Sequence, residues 1–407
     1  MRCLVCHANE VTEHLDVGLH PVSSFYLTEY SAKEDLFRLA LGQCSACGTI
    51  QSTSIVPHDA LVPPYDWLFA REPEEHLDAV VDQLIEMSGI GPDSVIGALT
   101  SKDDTTLDRF NKKGFAKTWR VDLQEDLGLT NPCANYETVQ KLNTPERMAA
   151  IAKKRGVADI FIVRHIMEHA EDLHAFIHGL AAAVKPGGIV MIEVPDCTKS
   201  LELADICMIW EEHSLYLTPE SFRPLSTIGG FEEIRTDVYP LPFENCLVHV
   251  ARKTSEPGPV RVSEQSLAQR GMLERYAARY DGMREKARSE LQRVRRDVGP
   301  IALFGAGHLA CAFANFLDVA DLIDFVADDT PQKQQKFLPG ARLPILSSEE
   351  LVTRNIRLCL LALSISNEEA VMKRQQAFID NGGQFRSIFQ ASPQSLLIAP
   401  PIQKGDR

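Results

Sequence analysis

No stretch of this 407-residue chain is both apolar and long enough to cross a bilayer, and its opening segment MRCLVCHANE lacks the apolar core and small-residue cleavage site of a secretory signal. These two absences predict a soluble protein of the cytoplasm with no membrane partner. Basic residues are also scarce: 42 Lys and Arg stand against 56 Asp and Glu, a net charge of -14. Nucleic-acid binding depends on clustered cations that release counterions, so this balance argues against such a partner and leaves any phosphate to a local pocket. Ten cysteines in a reducing compartment are expected as metal ligands or small buried hydrophobes, which sets a disulfide framework aside. What remains is an ordinary globular composition, 44% hydrophobic and 24% charged, on a chain long enough for two or three domains.

Cys3 and Cys6 form one C-x-x-C knuckle and Cys44 and Cys47 a second, followed directly by Gly48. Two thiolates three positions apart can hold one tetrahedral ion while the turn between them offers backbone N–H groups to the sulfurs. Four sulfurs leave no open coordination position, so the expected ion is a structural zinc. It would lock a segment of roughly seventy residues that buries too little apolar surface by itself. Unrelated buried cysteines or a redox pair fit the spacing less well, since neither knuckle opens a helix after a strand.

From about Asp93 short apolar runs alternate with amphipathic segments, the pattern of parallel strands joined by crossover helices. Residues 94–98, 117–122, 159–163 and 188–194 are predicted strands, and 171–184 a helix stopped by Lys185-Pro186-Gly187-Gly188. Two runs near 231–253 predict a closing hairpin. Residues 261–297 predict a long polar helix, a connector or an oligomer contact. A second wound unit follows, with strands opening at Ile301 and within 322–329, 357–364 and 385–388. The fold class is therefore α/β, with expected domains at 1–75 (zinc-binding), 76–255 (doubly wound sheet), 256–298 (helical connector) and 299–395 (Rossmann-like), and a tail at 396–407.

The order of these motifs resembles the nucleotide-sugar C-methyltransferases, which act on nucleotide-linked keto-deoxysugars. The four cysteines, Leu19-His20-Pro21-Val22, Lys185-Pro186-Gly187-Gly188, Glu212-His213-Ser214-Leu215-Tyr216, Pro339-Gly340 and Pro344-Ile345-Leu346 carry the resemblance over nearly the whole chain. It implies a class I methyltransferase fold in the middle domain and methyl transfer from S-adenosylmethionine to a carbon beside a ketone. That chemistry needs a base for the α-proton, stabilisation of the enolate and an aligned donor. His213 is the expected base, Glu212 its polarising neighbour or a sugar contact, and Tyr216 a packing residue, proton donor or substrate contact. His169 falls at a strand end where the family places a functional histidine, and Tyr65 matches a family tyrosine-rich segment loosely. Relatives often carry Tyr two places before the Glu of the Glu-His pair, where this chain has Trp210. A metal pair of His165 and His169 on one helix face is the competing reading of those imidazoles, and it lacks an evident third ligand.

The first predicted strand does not end in the acidic residue and glycine-rich turn usual for this fold. It reads Val95-Ile96-Gly97-Ala98-Leu99-Thr100-Ser101-Lys102-Asp103-Asp104, with Gly97 alone retained. Ser101 or Asp103 is then expected to take the donor's amino group, and Asp122 to hold a ribose diol or to cap the next turn. Three readings stand at this level: a variant donor loop, an acid/base isomerase that has lost the donor, or a binding scaffold. In the distal unit, Gly305-Ala306-Gly307-His308 follows a strand and offers backbone N–H groups to a pyrophosphate. The resemblance implies that Gly305, Gly307, His308, Asp328 and Lys333 contact a nucleotide-sugar. Ala310 stands at the third fingerprint glycine, so a dinucleotide is not expected.

Overall fold

The computed structural model describes residues 1–68, 74–241, 244–254 and 256–399. They group into two compact units. Unit one holds Met1–His14, Leu41–Thr198 and Glu212–Gly271; unit two holds Leu15–Ala40, Lys199–Glu211 and Met272–Arg407. The strands in chain order are β1 (Val11–His20), β2 (Phe37–Cys44), β3 (Ile50–Ser52), β4 (Val95–Ala98), β5 (Lys117–Arg120), β6 (Ala158–Arg164), β7 (Val184–Asp196), β8 (Leu215–Tyr216), β9 (Phe231–Tyr239) and β10 (Asn245–Lys253). They are followed by β11 (Ile301–Phe304), β12 (Phe325–Ala327), β13 (Ile345–Leu346), β14 (Leu358–Leu361) and β15 (Gln384–Ser387).

Unit one is built on a six-stranded sheet of order β5-β4-β6-β7-β10-β9, parallel from β5 to β7 and closed by the antiparallel β10 and β9. Side chains alternate between two covered faces. Ile160 and Ile162 of β6 join Ile96, Ala98, Met191 and Val248 on one side, while Phe161 and Val163 join Val190, Ile192 and Leu247 on the other. A sheet buried on both faces demands continuous apolar strands, which is why these runs stand out in the sequence. Helix α1 (Leu77–Ser88) precedes the sheet's first strand, and the crossover helices are α2 (Asp104–Lys112), α3 (Pro145–Arg155) and α4 (Leu173–Ala183). Thr144 caps α3 with Pro145 at its first position, and Asp172 caps α4 through Ala175 N–H. Residues 185–188 form a bulge inside β7, whose register against β6 shifts between Ala158 and Ile160.

Unit two carries an all-parallel sheet of order β13-β12-β11-β14-β15. Helix α5 (Tyr280–Asp297) buries Tyr280, Ala287, Leu291 and Val294, and α6 (His308–Phe316) follows β11. The compact units do not run linearly along the chain. Residues 15–40 group with the C-terminal sheet: Leu27 bridges Phe337, and Glu34 pairs with Arg342. The predicted 261–297 helix is three, Glu264–Ala268, Met272–Ala277 and α5, because Gly271 takes a left-handed φ of 77° and breaks the first run. The predicted tail at 396 is held as far as described: Leu396 is buried and its N–H bonds Ser387, while residues 400–407 lie outside the described residues.

Candidate functional site

The four cysteines converge in unit one. Cys3 and Cys6 precede β1, Cys44 ends β2, and Cys47 sits in the turn to β3, with all four sulfurs within 4.8 Å of one another. The Cys3–Cys47 and Cys6–Cys44 separations are 3.6 and 3.7 Å. A disulfide would need about 2.05 Å. A tetrahedral zinc with bonds of about 2.3 Å sets its sulfurs roughly 3.8 Å apart. The Val5 N–H donates to Cys3 Sγ at 3.4 Å, as a knuckle turn should. The donor set fits a closed structural zinc.

At the carboxyl end of β6 the chain turns through His165, at φ 52°, into a short 3₁₀ turn at Met167–His169. His165 and His169 therefore do not share a helix face, which removes the competing metal-pair reading of their spacing. Instead Glu168, His169 and His213 bring their ligand atoms within 4.8 Å. The His169 and His213 rings meet edge-on with centroids 4.8 Å apart. His169 Nδ1 lies 3.2 Å from the Glu212 carbonyl, which keeps Nε2 on the side of Glu168, 4.0 Å away. Ser214 ties the two segments, its N–H and hydroxyl both bonding the Glu168 carbonyl. The His169 carbonyl is itself held by Gln140 and by His58 at 3.2 Å. Tyr216 is buried, its ring centroid 6.0 Å from that of His213, and backs that imidazole rather than opening onto a substrate.

Behind this cluster lies a buried charge network missed in the sequence. Glu193 near the end of β7 accepts from His165 Nε2 at 2.8 Å, His76 Nε2 at 2.9 Å and Arg164 at 3.2 Å. Burial alone would raise the Glu193 carboxyl, but these bonds from His165 and His76, with the Arg164 charge, hold it far below the ordinary carboxylate range. His165 Nδ1 is 3.8 Å from Glu168, joining network to cluster. The legible signal was a charged residue, Arg164 or Glu193, closing an otherwise apolar strand.

A cavity of about 280 Å³ opens beyond β4 and β5, walled by Leu99–Lys102, Arg120, Val121, Leu123, Ile166, the 132–137 segment and Tyr65. It occupies the switch between β4 and β6, where open α/β sheets bind ligands. Ser101 and Tyr65 line it; Gly97, Asp103 and Asp122 do not. A Cβ on Gly97 would come within 2.7 Å of Phe161 and 2.9 Å of Trp119, so that glycine serves packing inside β4. Asp103 is fully buried and closes a capping box with Thr100, accepting from the Leu99 and Thr100 N–H groups. Burial pushes its carboxyl up to about 7. Asp122 Oδ1 accepts from the N–H groups of Gln124 and Glu125, the capping alternative.

The remaining expected contacts lie in unit two. Gly305 needs its φ of 98°, and a Cβ there would sit 2.8 Å from the Ala362 carbonyl; around Gly307 there is open space. Asp328 bonds the Ala306 N–H, and Lys333 bonds the Ala306 carbonyl and Asp328, so both knit the turn after β11. His308 is buried, stacked on Trp210 at 3.6 Å and 3.2 Å from Glu211. Burial would raise Glu211, but contact with His308 and Ser23 brings it down to about 2.

With this geometry in view, residues 261–389 match the family model described as "C-methyltransferase C-terminal domain", and residues 3–61 match "Putative zinc binding domain". The C-methyltransferase NovU of Streptomyces niveus is 23% identical over 396 residues, 94% of each chain. Among solved structures, the chain is similar to a 1,6-didemethyltoxoflavin-N1-methyltransferase from Burkholderia thailandensis with bound S-adenosylhomocysteine (15% identity, 45% of this chain and 80% of that one, TM-score 0.30). It is also similar to the magnesium protoporphyrin IX methyltransferase of Synechocystis (16% identity, 44% and 83%, TM-score 0.31).

Proposed function

We propose that this chain methylates a carbon beside the ketone of a nucleotide-linked deoxysugar, with S-adenosylmethionine as donor, a reading supported by its matches to a zinc-binding domain, to a C-methyltransferase C-terminal domain and to a C-methyltransferase along most of its length. One observation carries the reading: Glu168, His169 and His213 converge within 4.8 Å on the β6 loop whose Ile166 also walls the cavity. His169 and Glu168, which flank the base, then share one loop with the donor site.

His213, half-buried, is the base that takes the α-proton. His169 is oriented by the Glu212 carbonyl and held from behind by Gln140 and His58, so its ring faces His213 in a fixed position. Glu168 supplies a carboxylate beside the pair, which favours the imidazolium formed when the proton arrives. The cavity fits an adenosyl amino acid: Leu99, Val121, Leu123 and Ile166 give an apolar wall, and Lys102 and Glu137 a charged end. When bound, S-adenosylmethionine supplies an electrophilic methyl group. Zinc, held by Cys3, Cys6, Cys44 and Cys47, keeps the N-terminal segment folded and takes no part in the chemistry.

A second reading, isomerisation by the same base without a donor, is favoured by the capping box that closes the loop after β4. Calorimetry with S-adenosylhomocysteine separates the two, as does deuterium entering a keto-sugar from heavy water without donor. For the base, His213→Ala should lower turnover by roughly a hundredfold to ten-thousandfold while ligand affinity stays within twofold of the unaltered protein. An unchanged rate would remove His213 from the mechanism.

A further inference from the structure

The loop after β4 differs from a glycine-rich turn in where its backbone donors go. Leu99 N–H is shared between Ile162 and Asp103, Thr100 N–H bonds Asp103, Lys102 N–H bonds the Thr100 hydroxyl, and Asp103 N–H bonds the Thr100 carbonyl. Those groups are consumed inside the loop and cannot grip a ligand. What the loop presents to the cavity instead is a side chain: Lys102, whose Nζ lies 2.5 Å from Glu137 Oε1, with the two side chains only 18% and 15% exposed. Glu137 stands in the first turn of the short helix Tyr136–Val139, where the Asn135 amide holds its other oxygen at 3.0 Å. Lys102 Nζ also reaches the His165 carbonyl at 3.4 Å. Arg120, also in the cavity wall, is engaged by Asp104 at 2.7 Å.

We propose that Lys102 and Glu137 together recognise the zwitterionic end of an α-amino-acid ligand in this cavity, the ammonium of Lys102 taking the carboxylate and the carboxylate of Glu137 taking the amino group. This rests on the donor reading of the cavity and deepens it. An opposite-charge pair matches a zwitterion group for group, so on binding each side chain exchanges one partner for another and no part-buried charge is left alone. A ligand lacking either charge leaves one side chain uncompensated, and the site discriminates against it. The apolar wall of Leu99, Val121, Leu123 and Ile166 continues from the charged end and suits the adenosyl body. The pair thus replaces by side chains what a glycine turn does by bare backbone.

The test is calorimetry on the full chain with S-adenosylhomocysteine and with 5′-methylthioadenosine, which lacks the amino-acid end. Lys102→Met and Glu137→Gln should each weaken S-adenosylhomocysteine roughly tenfold to a hundredfold and leave 5′-methylthioadenosine within twofold. On the unaltered protein, which needs no variant to fold, decarboxylated S-adenosylmethionine should bind more weakly than S-adenosylmethionine by a similar factor. Equal binding of those two, or variants that weaken both probes alike or neither, would overturn the pair and leave the donor site standing. Failure of the unaltered protein to bind either S-adenosylhomocysteine or 5′-methylthioadenosine would overturn the donor reading and the pair with it.

Discussion

Glu193 is fully buried with three hydrogen-bonded donors, and removing its charge leaves the equally buried Arg164 without its closest counterion. Breaking such a pair from one side costs about 3–5 kcal/mol, so Glu193→Gln should lower the unfolding free energy by that order in urea titration. The pH dependence follows the same group. Its folded pKa is depressed, so its stabilisation is present above the unfolded value near 4.5 and is lost as pH falls below it. The unaltered protein should lose stability steeply below pH 4.5 and Glu193→Gln less steeply; parallel curves would show that the carboxylate contributes nothing. At this scale legibility was uneven. The cysteine quartet was readable because thiolate spacing is local chemistry. For Asp103, Asp122 and Gly97 the sequence leaves two roles open, because a carboxylate at a strand end serves a cap or a ligand equally well, and a glycine serves packing or a turn. Only the neighbours, Thr100, Gln124 and Phe161, decide between them.

The loops between elements carry the candidate site, and the elements themselves are the most legible part. Buried strands β4, β6 and β7 announced themselves as apolar runs, and the hairpin β9–β10 as two extended runs. The charge pattern of 261–297 is helical throughout, yet Gly271, with a left-handed φ of 77°, interrupts it between Ala268 and Met272, and a second break separates Ala277 from Tyr280. The knuckle turns at Cys3–Cys6 and Cys44–Cys47 depend on their ion, since the sulfurs there are held to 3.6 and 3.7 Å by no covalent bond. Metal analysis should give one zinc per chain. Stripping it with a strong chelator should speed hydrogen exchange in residues 1–14 and 41–54 while the β4–β7 core stays protected. No zinc in the purified protein, or unchanged exchange after stripping, would contradict the structural role.

Across the whole molecule the chain is interleaved rather than sequential, and this was illegible. Residues 15–40 belong with the C-terminal sheet through contacts such as Tyr26 OH to the Ala306 carbonyl at 2.6 Å and Leu27 to Phe337, some three hundred residues apart. No periodicity in a short loop-rich segment reports such a partner. A chain cut after Gly271 leaves Tyr26 and Leu27, at 6% and 7% exposure in the intact protein, without that cover. The 1–271 fragment should therefore bind a hydrophobic dye and aggregate, whereas a monodisperse fragment with cooperative unfolding would contradict the division.

The central claim is carbon methylation driven by an imidazole base at the open end of the β4–β7 sheet. Its most direct measurement is a mass and carbon-magnetic-resonance analysis of a nucleotide-linked keto-deoxysugar incubated with the enzyme and S-adenosylmethionine bearing a trideuterated methyl group. The expected product carries that methyl on the carbon beside the ketone, and His213→Ala yields none. Label on an oxygen or nitrogen, or product formed equally well by His213→Ala, would contradict the account.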